Sequence, residues 1–150
     1  MGVVVRELRR EDHEQHDALF VAYLAFYKTT LDKELRDLTF ERFFDAKEPM
    51  WCAVAYDESN PEKLLGLVHW LTHRHCWKAE LTIYLQDLYV DPAVRCGGVG
   101  RKLIEYVYDD AKKRDIRSVY WHTQHFNHAA QLLYTKVATK SDMVQYTKAL

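Results

Sequence analysis

A glycine-rich segment at residues 95–100, with the sequence RCGGVG, is the part of this chain best suited to hold a ligand. It follows a strand-like run that ends at Val90 and precedes a stretch with apolar residues at helical spacing. Glycines let the backbone approach a ligand closely, and the start of a helix offers free N–H groups and partial positive charge. The segment therefore predicts a phosphate- or pyrophosphate-binding loop, with an ordinary strand-to-helix turn as the alternative. A nucleotide P-loop and a dinucleotide-binding loop are disfavoured, because neither glycine pattern fits any register.

Two groups of histidines are spaced closely enough to suggest a metal site. No cysteine or carboxylate completes a ligand set around either group, and the second group crosses from a strand through a loop into a helix. The groups are His69, His73 and His75, and His122, His125 and His128. We therefore predict no metal site and interpret these residues as surface or packing histidines.

The elements that position these residues follow from the hydrophobic pattern. The predicted strands are Val3–Leu8, Trp51–Tyr56, Leu64–Leu71, Leu81–Val90, Ser118–Thr123 and Met143–Thr147. The predicted helices are Glu11–Tyr27, Leu38–Ala46, a helix whose apolar face runs from Gly100 to Ala111, and a helix that follows the N-cap residue Asn127. The order βααβββαβαβ predicts an α/β or α+β fold with a mixed sheet flanked by helices.

Length and composition indicate a single globular domain, residues 1–150, because 48% of the 150 residues are hydrophobic. The formal net charge of -1 gives no reason to expect binding to nucleic acid or to an anionic membrane. The longest apolar stretch, Ala18–Tyr27, is too short to cross a bilayer. Three scattered cysteines suit a reducing compartment, so we expect a cytoplasmic protein, with the nucleus as a second location.

Three segments together resemble the GNAT superfamily of N-acetyltransferases. Residues 85–92 (LQDLYVDP) resemble its fourth strand, and Arg95–Gly100 matches its Q/R-x-x-G-x-G/A pyrophosphate loop. Residues 127–136 match its later helix through Asn127, Ala130, Leu133 and Tyr134. Within the superfamily, the chain is most similar to the diamine acetyltransferases and to small yeast acetyltransferases reported on histones, polyamines and D-amino acids. The resemblance implies a mixed, mostly antiparallel sheet flanked by helices.

The resemblance also implies that acetyl-CoA is the co-substrate and assigns residues to it. Backbone groups of Leu88, Tyr89 and Val90 would bind the pantetheine amide like an added strand. The pyrophosphate would be held by Arg95, Cys96, Gly97, Gly98, Val99, Gly100 and Arg101, and the cofactor would be lined by Asn127 and Ala130. Tyr134 would face the sulfur and protonate the departing thiolate, although its place on an apolar helix face also fits a packing role.

The acceptor amine would bind near the end of the first helix and the fifth strand, again by resemblance. The residues at these places are Tyr27, Lys28, Tyr120, Trp121 and His122. Gln86 stands where the diamine enzymes carry a catalytic glutamate, so the general base stays open. Strand alternation turns the neighbouring Asp87 to the opposite face, and water relayed to a carboxylate or to His122 is an alternative.

The acceptor is expected to be a small amine. Acidic residues after the first helix could attract an ammonium group or could simply solvate helix ends; they are Asp32, Glu34, Asp37, Glu41, Asp45 and Glu48. Lys28 replaces an acidic residue of the diamine enzymes and could pair with a carboxylate, which favours amino-acid-like acceptors over polyamines. Histone or other protein lysines are the main alternative, and a non-catalytic acyl-CoA-binding domain is a second one, which the missing glutamate permits.

The C-terminal end carries two further expectations. Resemblance to the diamine and yeast enzymes implies a homodimer, with residues 143–150 contributing to the contact, because an apolar strand there would otherwise leave an exposed edge. Ala138 and Thr139 replace the usual glycine–aromatic pair after the last helix, so the turn that follows that helix can differ from the family pattern.

Overall fold

A computed structural model of the protein describes residues 1–95 and 97–150. Five strands form one sheet in the order β1-β2-β3-β4-β5. The strands are β1 (Val3–Glu7), β2 (Met50–Asp57), β3 (Asn60–His73), β4 (Thr82–Val90) and β5 (Val119–Tyr120). The first three pairings are antiparallel, and the pairing of β4 with β5 is parallel. The predicted α+β fold with a mixed, mostly antiparallel sheet is confirmed.

Helices cover both faces of this sheet. They are α1 (His13–Phe26), α2 (Lys33–Arg42), α3 (Val99–Lys113) and α4 (His128–Val137). Residues of α1 and α2 pack against one face, and residues of α3 and α4 pack against the other. No helix in the described part of the chain is long and apolar enough to cross a membrane.

Strand alternation separates the two cores. Ala53 and Ala55 of β2 belong to the core beneath α3, whereas Cys52 and Val54 belong to the core beneath α1 and α2. The α3 side is mostly apolar, because Leu103, Ile104 and Val107 repeat at helical spacing and are fully buried. The α1 side also buries polar groups, among them His16 and His69.

Strand β4 departs from regular pairing at the place where a site is expected. Trp70 of β3 pairs with Leu85 and His69 pairs with Asp87, so Gln86 is an extra residue in a β-bulge. Leu85 and Leu88 therefore both face the α3 core, although they are three residues apart. On its other side β4 pairs with β5 through Ile83 and Tyr84, and in the described residues no ladder between the two strands continues beyond that point.

The prediction of a sixth strand at Met143–Thr147 is wrong, and the element order ends with α4. Residues after Val137 form neither helix nor strand, and the side chains of Met143 and Tyr146 are 82% and 95% exposed. Ala138, at the end of α4, has an extended backbone (φ -152°, ψ -177°) instead of the left-handed residue that usually reverses a chain after a helix. The chain therefore leaves α4 without turning back to pair with the sheet.

Two other predicted elements have different bounds. The second helix begins at Lys33 after Asp32, five residues earlier than predicted, because Asp32 takes the extended conformation of an N-cap residue. Strand β5 is two residues long instead of running from Ser118 to Thr123, because its parallel partner β4 bulges and moves away from it.

Candidate active site

The glycine-rich segment turns into the first residue of α3, as predicted. Gly98 is the N-cap of α3 and has a left-handed backbone (φ 78°), which glycine adopts without strain. A Cβ atom placed on Gly98 would meet no atom of the described residues within 4 Å, so these residues leave open space at the helix N-terminus there. Arg95, Gly97 and Arg101 are exposed around this space, whereas Cys96 lies outside the described residues. The arrangement fits a phosphate-bearing ligand.

Two other residues of this loop have a packing role. Val99 is buried in the α3 core, and a Cβ atom on Gly100 would lie 3.3 Å from Leu133 of α4 and 3.7 Å from Val90 of β4. Glycine at position 100 therefore allows α3, α4 and the end of β4 to approach one another closely.

The strand edge next to this loop faces the gap between β4 and β5. Leu88, Tyr89 and Val90 pair with β3 on one side, and β5 does not pair with them on the other. Such an edge offers backbone N–H and C=O groups to an extended ligand. Asn127 caps α4 at the other side of the gap, where its side chain accepts a hydrogen bond from the backbone N–H of Ala130 (3.3 Å).

Tyr134 lies on α4 beside this gap. Its ring packs edge-on against Trp121, with 5.4 Å between ring centroids, and its side chain is half-buried. Burial, with a smaller contribution from Tyr27, raises the pKa of Tyr134 to about 12. The hydroxyl is therefore protonated at physiological pH and able to donate a proton or a hydrogen bond.

Aromatic side chains line the α1 face of the sheet beside β5. The rings of Tyr84 and Tyr120 stack with their centroids 5.0 Å apart, and His122 packs edge-on against both. The Tyr120 hydroxyl also lies 2.8 Å from Nε2 of His73. Tyr120 and His122 thus share one surface, as expected of acceptor-binding residues, whereas Trp121 packs on the opposite side against Tyr134 and Tyr108.

The end of α1 approaches this aromatic surface. Tyr23 and Tyr27 pack with their ring centroids 5.1 Å apart. Burial raises the pKa of Tyr23 well above its ordinary value, and the neighbouring Asp87 and Tyr27 raise it further. Tyr27 also contributes to the raised pKa values of Tyr84 and Tyr134. Tyr27 therefore stands where the aromatic surface meets the gap that contains Tyr134.

Lys28 ends α1 in a strained conformation. It has a left-handed backbone (φ 56°), and its N–H donates to the carbonyl of Ala25 while the N–H of Thr29 donates to the carbonyl of Leu24. These two bonds form a Schellman motif, in which glycine is the usual left-handed residue. The Lys28 side chain is exposed.

A chain of buried hydrogen bonds runs behind the aromatic surface. Nδ1 of His69 lies 2.8 Å from Oδ2 of Asp87, and Nε2 of His69 lies 2.8 Å from Nε2 of His16. The two histidines are 4% and 2% exposed. Asp87 therefore shares a face with the residues predicted to bind the acceptor, and the expectation that it points away is wrong, because the bulge at Gln86 interrupts strand alternation.

Sequence reasoning did not bring His16 and Cys52 together with His69. Their potential ligand atoms lie within 4.8 Å of one another, and all three residues are buried. The 2.8 Å contact between the two Nε2 atoms is a hydrogen bond, and burial raises the pKa of the Cys52 thiol. A stripe along α1 was the available signal, since His16, Phe20, Tyr23 and Tyr27 lie at i, i+4, i+7 and i+11.

The acidic residues after α1 form ion pairs away from the aromatic surface. Asp37 pairs with Lys33 and His13, Glu41 pairs with Arg10, and Glu48 pairs with Arg42. These contacts favour the simpler interpretation, in which the acids solvate α2 and its flanks. The carboxylate that faces the aromatic surface is Asp87.

The arrangement of loop, strand edge and helices agrees with comparisons to known proteins. AAC(6')-Iy, solved with the bisubstrate analogue CoA-S-monomethyl-acetylneamine, superposes with a TM-score of 0.85 at 14% identity, over 100% of this chain and 99% of that chain. Ribosomal-protein-alanine N-acetyltransferase from Brucella melitensis biovar Abortus 2308 superposes with a TM-score of 0.80 at 17% identity, over all of both chains. Both likenesses establish the fold.

Sequence comparisons establish more than the fold. The chain is 42% identical over 146 residues to D-amino-acid N-acetyltransferase HPA3 of Saccharomyces cerevisiae, covering 97% of this chain and 90% of that protein. The model of the acetyltransferase (GNAT) family matches residues 6–138. This chain belongs to the acetyltransferase (GNAT) family and is an N-acetyltransferase.

Proposed function

We propose that this enzyme transfers the acetyl group of acetyl-CoA to the primary amine of a small acceptor, with amino acids preferred to polyamines. One observation carries the proposal: Tyr120 and His122 belong to one aromatic surface, and Trp121 between them packs on the opposite side against Tyr134, beside the gap edged by the open N-terminus of α3. Two ligands of different chemistry can therefore meet at Tyr134. The related yeast protein is named as a D-amino-acid N-acetyltransferase, which supports the same acceptor class.

The acetyl-CoA residues of the proposal are those around the gap. The open N-terminus of α3 at Gly98, with Arg95, Gly97, Val99, Gly100 and Arg101 around it, would hold the pyrophosphate; Cys96 is included from the sequence alone. Backbone groups of Leu88, Tyr89 and Val90 would pair with the pantetheine amides, with Asn127 and Ala130 beside them. Acetyl-CoA supplies the activated thioester.

Tyr134 is proposed as the group that donates to the departing sulfur. With a pKa of about 12, it keeps its proton over the whole physiological range. A free thiol has a pKa near ~8.5, so complete transfer of the tyrosine proton to a thiolate is uphill by about 5 kcal/mol. Tyr134 therefore contributes mainly a hydrogen bond to the sulfur while the C–S bond breaks. Its proton moves to the sulfur only when another group returns a proton to the tyrosinate.

The acceptor residues of the proposal are on the α1 side. Tyr27, Tyr120 and His122 would contact the amine, since aromatic faces beside a carboxylate attract an ammonium group and remove part of its water. Exposed Lys28 would pair with an amino-acid carboxylate. Gln86 at the bulge and Trp121 behind Tyr134 complete the proposed set.

Steady-state kinetics across acceptors tests this function. Acetyl-CoA turnover would be followed with D- and L-amino acids, lysine analogues, polyamines and histone-tail peptides. We expect amino acids to give the highest kcat/KM, and a higher kcat/KM for histone peptides than for every small amine would replace this acceptor class with protein lysines. The variant Lys28→Glu should shift preference toward polyamines, with Lys140→Glu, in the exposed C-terminal segment, as the charge-matched control.

We also propose that the protein is a homodimer and that the C-terminal segment contributes to the contact. The supporting observation is the exposure of its apolar side chains, which are Met143, Val144, Tyr146 and Leu150. Light scattering would give a dimer mass at micromolar concentrations, and removal of residues 143–150 would reduce it. A monomer mass for the full chain would contradict the proposal.

The proposed location is the cytoplasm, with the nucleus as a second site. Cys52 and Cys76 are free thiols, which suits a reducing compartment. Fluorescence microscopy of a tagged protein would test this location.

A further inference from the structure

We propose that Asp87 is the general base for the acceptor amine and that His69 and His16 are positioning residues that hold its carboxylate toward the acceptor pocket. The inference rests on the proposed function and supplies the group that Gln86 cannot provide. A glutamine amide does not accept a proton at physiological pH, so a glutamine at the bulge leaves the pocket in need of another base.

The proposal assigns a direction to each hydrogen bond in the chain. An ionised Asp87 only accepts hydrogen bonds, so Nδ1 of His69 must carry the proton and donate it across 2.8 Å. The Nε2 atoms of His16 and His69 lie 2.8 Å apart, so one donates and the other accepts, and the proposal assigns His16 as the donor. Each histidine is thereby held in one tautomer, and the hydrogen bond from His69 orients the Asp87 carboxylate.

Packing keeps this chain of bonds in place. His69 packs against Phe20 of α1 and Phe43, which follows α2, while His16 contacts Phe40 of α2. Burial in this aromatic cluster, followed by the effect of His69, lowers the pKa of His16 to about 3. His16 therefore stays neutral at physiological pH and remains a donor to His69 without adding a charge beside it.

The titratable groups that face Asp87 come from four elements. They are Tyr23 from α1, Cys52 from β2, His69 from β3 and Tyr84 from β4. Burial is the largest cause that raises the pKa of Tyr23, Tyr84 and Cys52, and Asp87 adds to it. These three groups are therefore neutral, and in the described residues Asp87 is the negative charge at the centre of this set. Its side chain keeps 16% of its accessible surface, so part of the carboxyl group remains accessible.

The proposed proton transfers balance as follows. Asp87 takes one proton from the bound ammonium and releases it to solvent, which frees the nitrogen lone pair. The nitrogen then attacks the thioester carbon, the new N–C bond forms, and Asp87 takes a second proton from that nitrogen. The C–S bond breaks, Tyr134 donates to the sulfur, and the proton on Asp87 returns to Tyr134 through the pocket. The products are one amide, one thiol and one proton.

Magnitudes support a base at this position. An amine with a pKa near ~10.4 needs roughly 4–5 kcal/mol to lose its proton at neutral pH. Desolvation by the aromatic surface lowers that cost, and a carboxylate beside the ammonium provides the acceptor for its proton. General-base catalysis of this kind contributes about 10²–10⁴-fold to the rate.

Four variants and a control test the proposal. Asp87→Asn removes the base and keeps its shape. His69→Phe removes the donor to Asp87, His69→Asn restores a donor at the Nδ1 position, and His16→Phe removes only the outer bond within an aromatic cluster. His13→Gln is the control, because His13 lies one turn earlier on the same helix and pairs with Asp37 at the surface.

The pH dependence of kcat/KM separates a base from a structural group. At pH 7 we expect Asp87→Asn to lose about 10²–10³-fold and His69→Phe to lose at least about tenfold. Both losses should shrink as the pH passes the pKa of the acceptor amine, because the amine then needs no base to remove its first proton. His69→Asn should recover most of the loss of His69→Phe, and His13→Gln should match the wild type. Losses that are equal at all pH values, or an Asp87→Asn variant as active as the wild type, would overturn the proposal.

A measurement on the wild-type protein tests the hydrogen-bond chain without activity. Nitrogen-15 NMR of labelled histidines should show His69 as the Nδ1–H tautomer and His16 as the Nε2–H tautomer. The opposite tautomers, or a stoichiometric metal ion released on unfolding, would overturn the chain. If the wild-type protein acetylates no amine, the proposed function is wrong. The NMR measurement of the histidine tautomers would still test the hydrogen bonds around Asp87.

Discussion

The two faces of the sheet differ in the polarity of their cores and in the groups that are suited to bind a ligand. Beneath α3 the core is mostly apolar, and the proposed ligand-binding feature is backbone: a left-handed glycine, a helix N-terminus and a strand edge. Beneath α1 and α2 the core contains two buried histidines, and the features suited to binding are side chains. A backbone site serves a ligand that is the same in every family member, whereas a side-chain site can change with the acceptor.

The difference also explains where strain and buried polarity occur. The loop before α3 uses Gly98 for its left-handed residue, so this position carries little strain. The α1 face accepts Lys28 in a left-handed conformation and buries His16 and His69, each of which costs stability. Such costs are typical of functional sites, and they can be tested one at a time.

The largest effect is expected at Tyr134, where the two faces meet. Tyr134→Phe removes only the hydroxyl, so packing against Trp121 and acetyl-CoA affinity should persist. Turnover should fall by about ten- to a thousandfold, because the departing sulfur loses its donor. Single-turnover kinetics measures this step, and the control is Tyr108→Phe, since Tyr108 donates to the carbonyl of Val137 on the far side of Trp121. A Tyr134→Phe variant with an unchanged chemical rate would mean that the residue only packs.

The next effect concerns the backbone site. Gly98→Val places a branched side chain in the open space before α3, so the dissociation constant of acetyl-CoA should rise at least about tenfold, equivalent to 1.4 kcal/mol. The left-handed backbone also strains this variant, and Asp115→Val matches that strain at an exposed left-handed residue after α3 (φ 55°). Calorimetry should find weakened binding in the first variant alone. Equal affinity of both folded variants would remove the loop from the site.

The sequence predicts the α3 face well, because its signals are local. Glycines, a helical apolar repeat and a strand that ends at Asp91-Pro92 are contiguous in the chain, and each acts through the backbone. The cap at Asn127 and the hairpin between β2 and β3 were predicted for the same reason, and both are confirmed.

The α1 face is harder to predict, because its site depends on register and on distant residues. The bulge at Gln86 has no local signal, and it reverses the expected direction of Asp87. His16 meets His69 only after α1 packs on β3, 53 residues apart in sequence. The prediction of a sixth strand fails for a similar reason. An apolar alternating segment indicates strand tendency, whereas pairing with the sheet requires a turn that Ala138 does not make.

A smaller effect should appear in stability at acid pH. The pKa of His16 is lowered to about 3, chiefly by burial and then by His69, with a smaller lowering from His13 and smaller opposing contributions from Asp17 and Asp12. Between about pH 6.5 and pH 3, His16 binds a proton in the unfolded chain but not in the folded chain. The free energy of unfolding should therefore fall as the pH falls, by up to about 1.4 kcal/mol per pH unit from this group. Urea unfolding at pH 7, 6 and 5 measures the slope, and His16→Phe should flatten it. An equal slope in the variant would show that other groups cause the loss.

The smallest effect compares two left-handed helix ends. Lys28→Gly and Asp115→Gly each relieve the strain of a side chain in that conformation, so each should raise the free energy of unfolding by about 1 kcal/mol. Only Lys28→Gly should also raise KM for amino-acid acceptors, because Asp115 lies at the end of α3, outside the proposed acceptor pocket. Thermal unfolding and kinetics on the same preparations check both parts. Equal KM values would place Lys28 outside the pocket.

The separation of the two sites is tested most directly by backbone amide NMR during titration with coenzyme A. We expect the largest shift changes on Leu88–Val90 and on Gly98–Arg101, on the α3 side of the gap. Subsequent addition of a D-amino acid should move resonances of Tyr27, Lys28 and Asp87. If the shift changes caused by coenzyme A fall on α1 and α2 and spare the N-terminus of α3, the proposed separation of the two sites is wrong.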